Sequence, residues 1–405
     1  MGINLKTQID KVGEIDHGAK RLFYQKLSAI RGISAVIIVL YHSLAHSRTW
    51  KDVDFNSIDQ ILRSSGLVIV FFFLILSGFI NFRPYASSII TGESPAVKGF
   101  GFFIRRISKL LPIYWISLVI WFIPASILNL ENKGWRMFFF LHIFEAKDNP
   151  EFIMGIITSW ALAIEFFYLI PLTLLSIYLG YKNVKLRDKT IYLYSIIAII
   201  AVVVSNILRY SHIKANPSSF KQWWPVEQWD KFIFGELIAL AIVFLITRKK
   251  AGDKVKKAAI IFRYSLFTLG TALLLLFPID DWFFTEKSSN YIFLSNFTAL
   301  PLALWMMVEG IFFTKGKWFR KKSLQKLGEL SFPIFIFHPV MLDFIRMYYV
   351  KKYWYYQVFD NWGATFLTTI LFTLLFSLIL DKLFISKVNN FIKKYDTQVK
   401  VSNKE

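Results

Sequence analysis

Ten apolar runs recur along the whole chain, each about as long as a helix that crosses a lipid bilayer. A membrane-spanning helix needs about 20 mainly apolar residues. The runs lie at 28–46, 61–80, 104–128, 156–179, 190–208, 230–247, 258–278, 291–313, 329–349 and 362–386. Of the 405 residues, 55% are hydrophobic and 19% are charged, against about 25% charged in an ordinary soluble domain. We therefore predict an all-α polytopic membrane protein with about ten transmembrane helices, which excludes a soluble globular enzyme.

Lysine and arginine are unevenly divided between alternate loops. One set of loops, together with both termini, contains 34 of the 48 basic residues, and the other set contains 14. Cytoplasmic loops are the ones enriched in Lys and Arg. We therefore expect a cytoplasmic segment over 1–27, a transmembrane domain over 28–386 and a cytoplasmic tail over 387–405. The net charge of +21 is then a topology signal spread over separate loops, and we expect no nucleic-acid partner.

A shorter apolar run, Trp135–Phe144, lies between the third and fourth predicted spans. It is too short to cross a bilayer and predicts an interfacial or re-entrant segment.

The absence of Cys limits the chemistry. It excludes disulfides, thiolate metal sites and a cysteine acyl-enzyme. We predict no metal site and no tightly bound cofactor.

Two ionisable residues mark the first span, and such residues within a membrane are functional candidates because they are costly there. Arg31 and His42 are eleven residues apart, which places both on one stripe of the helix, about 16 Å apart along its axis. The predicted topology puts Arg31 at the cytoplasmic end and His42 in the outer half. Two alternatives stay open: Arg31 as an ordinary basic flank, and His42 as a core histidine or an interface residue.

The fourth span contains Glu165, nine residues from its predicted outer end. Its depth matches that of His42, so the sequence predicts that the two side chains meet. A histidine with a neighbouring carboxylate is the usual arrangement of a general base. The alternative is a protonated carboxylic acid bonded to the backbone of another helix.

The third span opens with Arg105, Arg106 and Lys109. Cations three residues apart share one helix face and can bind a phosphate, although a simple basic flank is an equal alternative. His338, near the middle of the ninth span, is compatible with a structural or a functional role. Ser77 belongs to a small Ser-Gly pair that favours close helix packing. Weaker candidates within the spans are Glu236, Glu309 and an Asp343–Arg346 pair.

Five sequence blocks occur in an order that resembles the bacterial acyltransferase-3 family of integral-membrane O-acyltransferases. The blocks are Leu27–His42, Gly66–Ile80, Phe103–Trp115, Trp160–Pro171 and Ser331–Pro339. The chain departs from the family pattern at Lys109, where Arg is more usual and would bind a phosphate through two parallel hydrogen bonds. Some members have an appended SGNH-type hydrolase domain, and we expect none in this chain.

The resemblance implies transfer of an acyl group, commonly acetyl, from cytoplasmic acyl-CoA to a hydroxyl of a surface polysaccharide such as lipopolysaccharide O-antigen, or of a lipid-linked saccharide. It implies a location in the bacterial plasma membrane, in contact with membrane lipid. His42 would be the essential base and Glu165 its assistant. The donor-facing cations would be Arg31, Arg105, Arg106 and Lys109, with supporting roles for Trp160, Tyr168, Ser77 and His338.

The strongest rival from another class is an exporter of a lipid-linked glycan or a proton-coupled transporter. Intramembrane His and Glu could then relay protons, and the aromatic residues could stack on sugars. The sequence has no visible inverted repeat and no pair of broken helices, which such transporters commonly contain. A membrane scaffold, the third alternative, would not need buried ionisable residues.

Overall fold

The computed structural model of the protein describes residues 25–44, 57–91, 100–127, 134–144, 158–182, 188–215, 225–247, 252–276, 289–309, 317–350 and 362–387. These residues form helices joined by turns and contain no strand, so the all-α class is confirmed for them. The expected terminal segments 1–27 and 387–405 lie almost entirely outside the described residues, and the domain bounds stay predictions.

Twelve helices follow one another in the described ranges: α1 Gln25–Leu44, α2 Ser57–Thr91, α3 Phe100–Ile127, α4 Gly134–Phe138, α5 Ser159–Lys182, α6 Asp188–Ala215, α7 Pro225–Thr247, α8 Gly252–Leu276, α9 Ser289–Val308, α10 Lys322–Glu329, α11 Ser331–Val350 and α12 Trp362–Leu380. Short 3-10 turns occupy Leu141–Phe144 and Lys317–Arg320, and a π turn, Asp381–Ile385, follows α12.

Several helices are long and apolar enough to cross a membrane. By length and composition five qualify: Gln25–Leu44, Gly66–Ser87, Gly101–Ile123, Leu193–Ser211 and Trp362–Phe384. A sixth span results if α10 and Ser331–Ile345, which meet at 63°, cross as one bent pair. The described residues therefore support a multi-pass membrane protein, while the count of ten spans and the orientation of the termini stay predictions.

One face of α6 is apolar and exposed. Ile196, Val203 and Ile207 are 54%, 50% and 60% exposed. Soluble monomers rarely expose a continuous apolar surface of this kind. The face is therefore suited to contact with lipid.

Close packing of α2 and α7 forms the centre of the bundle. A Cβ atom added to Gly78 of α2 would lie 2.7 Å from Cα of Phe232, and one added to Gly235 of α7 would lie 2.6 Å from N of Phe79. Small residues let membrane helices approach this closely. Gly78 thus has the packing role that the Ser-Gly pair predicted.

The helices α1 and α11 lie side by side and run in the same direction. Near the start of α1, a Cβ on Gly32 would lie 2.7 Å from the backbone N of Gly328, just before α11 begins. Further along, the rings of His42 and His338 are 5.1 Å apart between centroids. Successive spans cross the membrane in opposite directions, so the predicted topology requires the first and ninth spans to run in the same direction.

Residues 134–144 fold back against the middle of α3. The hydroxyl of Tyr114 donates a 2.8 Å hydrogen bond to the carbonyl of Met137. Nε1 of Trp115 donates to the carbonyl of Phe138 at 3.0 Å. Both donors are at least twelve residues before the end of α3, about 18 Å along its axis. This placement favours the re-entrant interpretation of the segment.

Candidate functional site

A cavity of about 450 Å³ lies between α1, α2, α3, α5, the end of α10, α11 and the turn after α12. This volume falls within the usual range for small-molecule sites. Its ionisable lining residues, among those the structure describes, are the cations Arg31, Arg106 and Lys109 and the carboxylates Glu165, Glu329 and Asp381. The structure thus brings three of the four predicted donor-facing cations to one cavity. The fourth, Arg105, is not one of its lining residues.

A closed polar network fixes Glu165 and Arg106 on the cavity wall. The Ser77 hydroxyl donates a 2.6 Å hydrogen bond to Oε1 of Glu165, and Nη2 of Arg106 lies 4.0 Å from the same oxygen. Nδ2 of Asn81 donates to Oγ of Ser77 at 3.1 Å, and Oδ1 of Asn81 accepts a hydrogen bond from Nε of Arg106. Three helices are joined at this point, so both charged groups are held in place.

Asn81 belongs to this polar network, although the sequence did not indicate it as a candidate site residue. It follows Ser77 by four residues, so both lie on one face of α2. This spacing could have identified Asn81 from the sequence. Two polar side chains on one face of a membrane span need hydrogen-bond partners within the membrane, so both are candidates for a polar site.

Arg31 is one of the lining residues of the cavity. It forms no hydrogen bond or ion pair with any residue that the structure describes. Its charge interacts with those of Arg106 and Glu165 nearby. Two guanidinium groups and one carboxylate therefore lie close together at this part of the wall, and guanidinium groups bind anionic ligands by charge-assisted hydrogen bonds.

His42 packs against His338 at the opposite end of α1. The ring centroids are 5.1 Å apart, and the ring planes are inclined by 34°. Nδ1 of the buried His338 lies 3.0 Å from the carbonyl oxygen of Ile334. Because a carbonyl oxygen can only accept, this Nδ1 bears the proton, and Nε2 is the basic nitrogen of the neutral ring. The structure therefore places His338, which the sequence left open, directly beside His42.

The apolar wall of the cavity ends beside this histidine pair. Phe335 lines the cavity, and its ring centroid lies 5.6 Å from that of Phe73 and 6.2 Å from that of His338. A ligand held by the cations at one end can thus extend along an apolar surface toward the imidazoles.

Glu165 does not contact His42, contrary to the sequence-based prediction. Among the described side chains, its hydrogen bond comes from Ser77, and none joins it to His42. The two residues also lie at different depths. Tyr41 packs against Gly66 of α2, whereas Ser77 is eleven residues further along that helix, about 16 Å away. Glu165 therefore lies at the level of the cations.

The predicted depth of Glu165 in the membrane is wrong because α5 begins later than the apolar run does. The prediction places the membrane surface at residue 156. In the structure α5 begins at Ser159, which is hydrogen-bonded at 2.9 Å to His142 of the re-entrant segment. Glu165 is only six residues beyond that buried start, about 9 Å. A local apolar run cannot reveal that a neighbouring segment folds back against α3 and contacts the start of α5.

Two further predicted residues lie along α5. Trp160 is buried near its start. The hydroxyl of Tyr168 donates to the carboxylate of Glu236, which also accepts a hydrogen bond from Tyr194. Tyr168 thus satisfies a buried carboxylate next to the cavity.

Two other intramembrane carboxylates also have partners. Oε2 of Glu309 lies 2.6 Å from Nε of Arg263, and Asp343 accepts a 2.9 Å hydrogen bond from Nε1 of Trp121. The side chain of Arg346, the predicted partner of Asp343, lies outside the described residues. No group of three His, Asp or Glu residues within the described ranges could hold a metal ion.

Comparison with protein families matches residues 24–381 to the model Acyl_transf_3, described as an acyltransferase domain. Comparison with curated protein sequences and with solved structures gives no match. The matched range contains the histidine pair and all six ionisable residues of the cavity. The chain therefore belongs to the acyltransferase-3 family of membrane acyltransferases.

Proposed function

We propose that the protein transfers an acyl group, most simply acetyl, from cytoplasmic acyl-CoA to a hydroxyl of a surface polysaccharide or lipid-linked saccharide. The reaction would take place in the plasma membrane of a bacterium. The observation that supports this proposal is the position of one cavity wall relative to the histidine pair. Arg31, Arg106 and Phe335 line the cavity, and the ring of Phe335 lies 6.2 Å from that of His338, which packs against His42.

The cationic end of the cavity binds the donor phosphates in this proposal. Arg31 and Arg106 both line the cavity, and Lys109 adds a third positive charge. Arg31 and His42 are eleven residues apart on one helix, about 16 Å. That distance is comparable to the length of the pantetheine arm. An acyl-CoA whose phosphates bind at the cations can therefore present its thioester carbonyl carbon near His42.

His42 acts as the general base in this scheme. It takes the proton of the acceptor hydroxyl as the oxygen attacks the thioester carbonyl. The carbon–sulfur bond then breaks, and the proton passes to the departing thiolate of coenzyme A. The neutral His338 ring, whose centroid lies 5.1 Å from that of His42, stabilises the positive charge that forms on the His42 imidazolium. His338 thus takes the assisting role that the sequence analysis gave to Glu165, which instead positions Arg106.

The apolar wall protects the thioester from hydrolysis. Phe73, Leu74 and Phe335 give the cavity an apolar lining. Exclusion of water from a closed site suppresses such side reactions. The acceptor hydroxyl would reach His42 from the outer side of the membrane.

Acyl transfer by the purified protein tests this proposal. Protein in nanodiscs receives labelled acetyl-CoA and a bacterial surface-glycan extract, and alkali-labile label on the glycan is measured. We expect ester formation by the native chain and little by His42→Ala. Label that stays on acetyl-CoA with every glycan fraction, together with movement of a lipid-linked glycan across proteoliposomes, would favour the exporter instead.

A further inference from the structure

A lysine outside the cavity neutralises two carboxylates at its rim. Nζ of Lys326 on α10 lies 2.6 Å from Oδ2 of Asp381 and 3.3 Å from Oε2 of Glu329. Both carboxylates line the cavity, whereas Lys326 itself is not a lining residue. The carboxylates remain partly hydrated, since Glu329 is 63% and Asp381 23% exposed.

The charge of the cavity depends on this lysine. Among the described residues that line the cavity, three cations face three carboxylates, so their formal charges cancel. Lys326 adds one positive charge in direct contact with two of those carboxylates. Without it the cavity offers a polyanionic donor no net attraction, and the two rim carboxylates oppose the approach of phosphates.

Several contacts hold the lysine in this position. Nε2 of Gln325, the preceding residue, donates to the carbonyls of Gln25 at 2.7 Å and of Phe319 at 2.6 Å. A Cβ on Gly328 would meet the side chain and backbone of Ser28. These contacts join α10 to the start of α1. Lys326 is therefore fixed between α1 and the turn that follows α12.

We propose that Lys326 determines specificity for an anionic donor by neutralising Glu329 and Asp381 at the cavity rim. This proposal rests on the proposed function, because it concerns entry of the acyl-CoA donor. Lys326 acts through the two carboxylates and touches neither the reacting carbonyl nor the histidine pair. Its removal should therefore change donor KM and leave kcat at saturating donor unchanged.

The test compares a charged and an uncharged acetyl donor in the same variants. Lys326→Met should raise the KM for acetyl-CoA by about three- to tenfold, the size expected of one charge acting across partly hydrated space. The KM for acetyl-pantetheine, which has no phosphates, should stay unchanged. Lys326→Arg should behave as the native chain. Lys321→Met removes an equal charge from an exposed neighbouring residue and serves as the matched control.

A second variant separates charge from structure. Asp381→Asn combined with Lys326→Met removes one rim carboxylate and should return the acetyl-CoA KM to near its native value. If Lys326 only fastened α10 to the last turn, the double variant would stay impaired with both donors, which would overturn the proposal. An unchanged acetyl-CoA KM in Lys326→Met would also overturn it. If instead the native chain transfers no acetyl group and Arg31→Ala leaves coenzyme A binding unchanged, the proposed function itself has failed.

Discussion

Asn81 of α2 and Arg106 of α3 are joined by a hydrogen bond from Nε of the arginine to the side-chain oxygen of the asparagine. The same asparagine donates to Ser77, which in turn holds Glu165. The orientation of Arg106 in the cavity is therefore set by a neutral amide as well as by a carboxylate.

Replacement of Asn81 by Ala should weaken donor binding. The substitution removes the acceptor for Arg106 and the donor to Ser77, so the guanidinium loses its fixed direction. We expect the KM for acyl-CoA to rise by about tenfold, equivalent to about 1.4 kcal/mol, with kcat retained at saturating donor. Steady-state kinetics with titrated acyl-CoA measures both quantities. A fall in kcat at unchanged KM would contradict the positioning role.

Two glycine substitutions test the packing of α2 on α7. Gly78→Ala places a Cβ 2.7 Å from Cα of Phe232, and a backbone atom cannot yield as a flexible side chain can. Overpacking of this kind costs about 1–3 kcal/mol, so the thermal midpoint in detergent should fall. Gly101→Ala is the control, since nothing lies within 4 Å of its added Cβ. Equal midpoints for the two variants would contradict the close approach.

The segment 134–144 should make the stability of the protein depend on pH. Burial lowers the pKa of His142 to about 4 from its usual 6.5, so the folded ring stays neutral while the unfolded ring takes up a proton between those values. The folded state therefore loses stability as pH falls from about 6.5 toward 4. The thermal midpoint of the native chain should drop over this range more than that of His142→Gln. Parallel pH profiles for the two proteins would show that His142 is not the group responsible.

His338 should contribute to the chemical step and not to donor binding. His338→Asn keeps an N–H that can donate to the carbonyl of Ile334 but removes the basic Nε2. We expect kcat to fall by about 10², the lower end for a group that assists proton transfer, with donor KM unchanged. The thermal midpoint confirms that the variant is folded. If its kcat equals that of the native chain, His338 only packs against His42 and takes no part in the chemical step.

Local patterns predicted the parts of the site that lie within one helix. The spacing of Arg106 and Lys109 placed both on one face of α3, and both line the cavity. The pairing of His42 with His338 was beyond the sequence because it depends on which helices become neighbours. The depth of Glu165 was misjudged for a related reason, since the fold-back of residues 134–144 changes where α5 begins.

The apolar runs predicted the helical class because each run alone meets the length and composition that a bilayer requires. They did not predict the break near Leu330, where the sequence indicated one continuous span over 329–349. There α10 and α11 meet at 63°. The bend packs against α1, which is distant in sequence; for example, Gly32 of α1 contacts the backbone of Gly328.

The separation of donor binding from proton transfer along α1 is the central claim, and one kinetic comparison tests it directly. Arg31→Ala and His42→Ala, each confirmed as folded, are measured in nanodiscs with titrated acyl-CoA. Loss of the charge-assisted contact at Arg31 should raise donor KM by roughly ten- to a hundredfold, and excess donor should restore most of kcat. Loss of His42 should lower kcat by about 10² to 10⁴ at every donor concentration, with donor binding intact. Rescue of His42→Ala by donor, or a loss of kcat in Arg31→Ala at unchanged KM, would contradict the account.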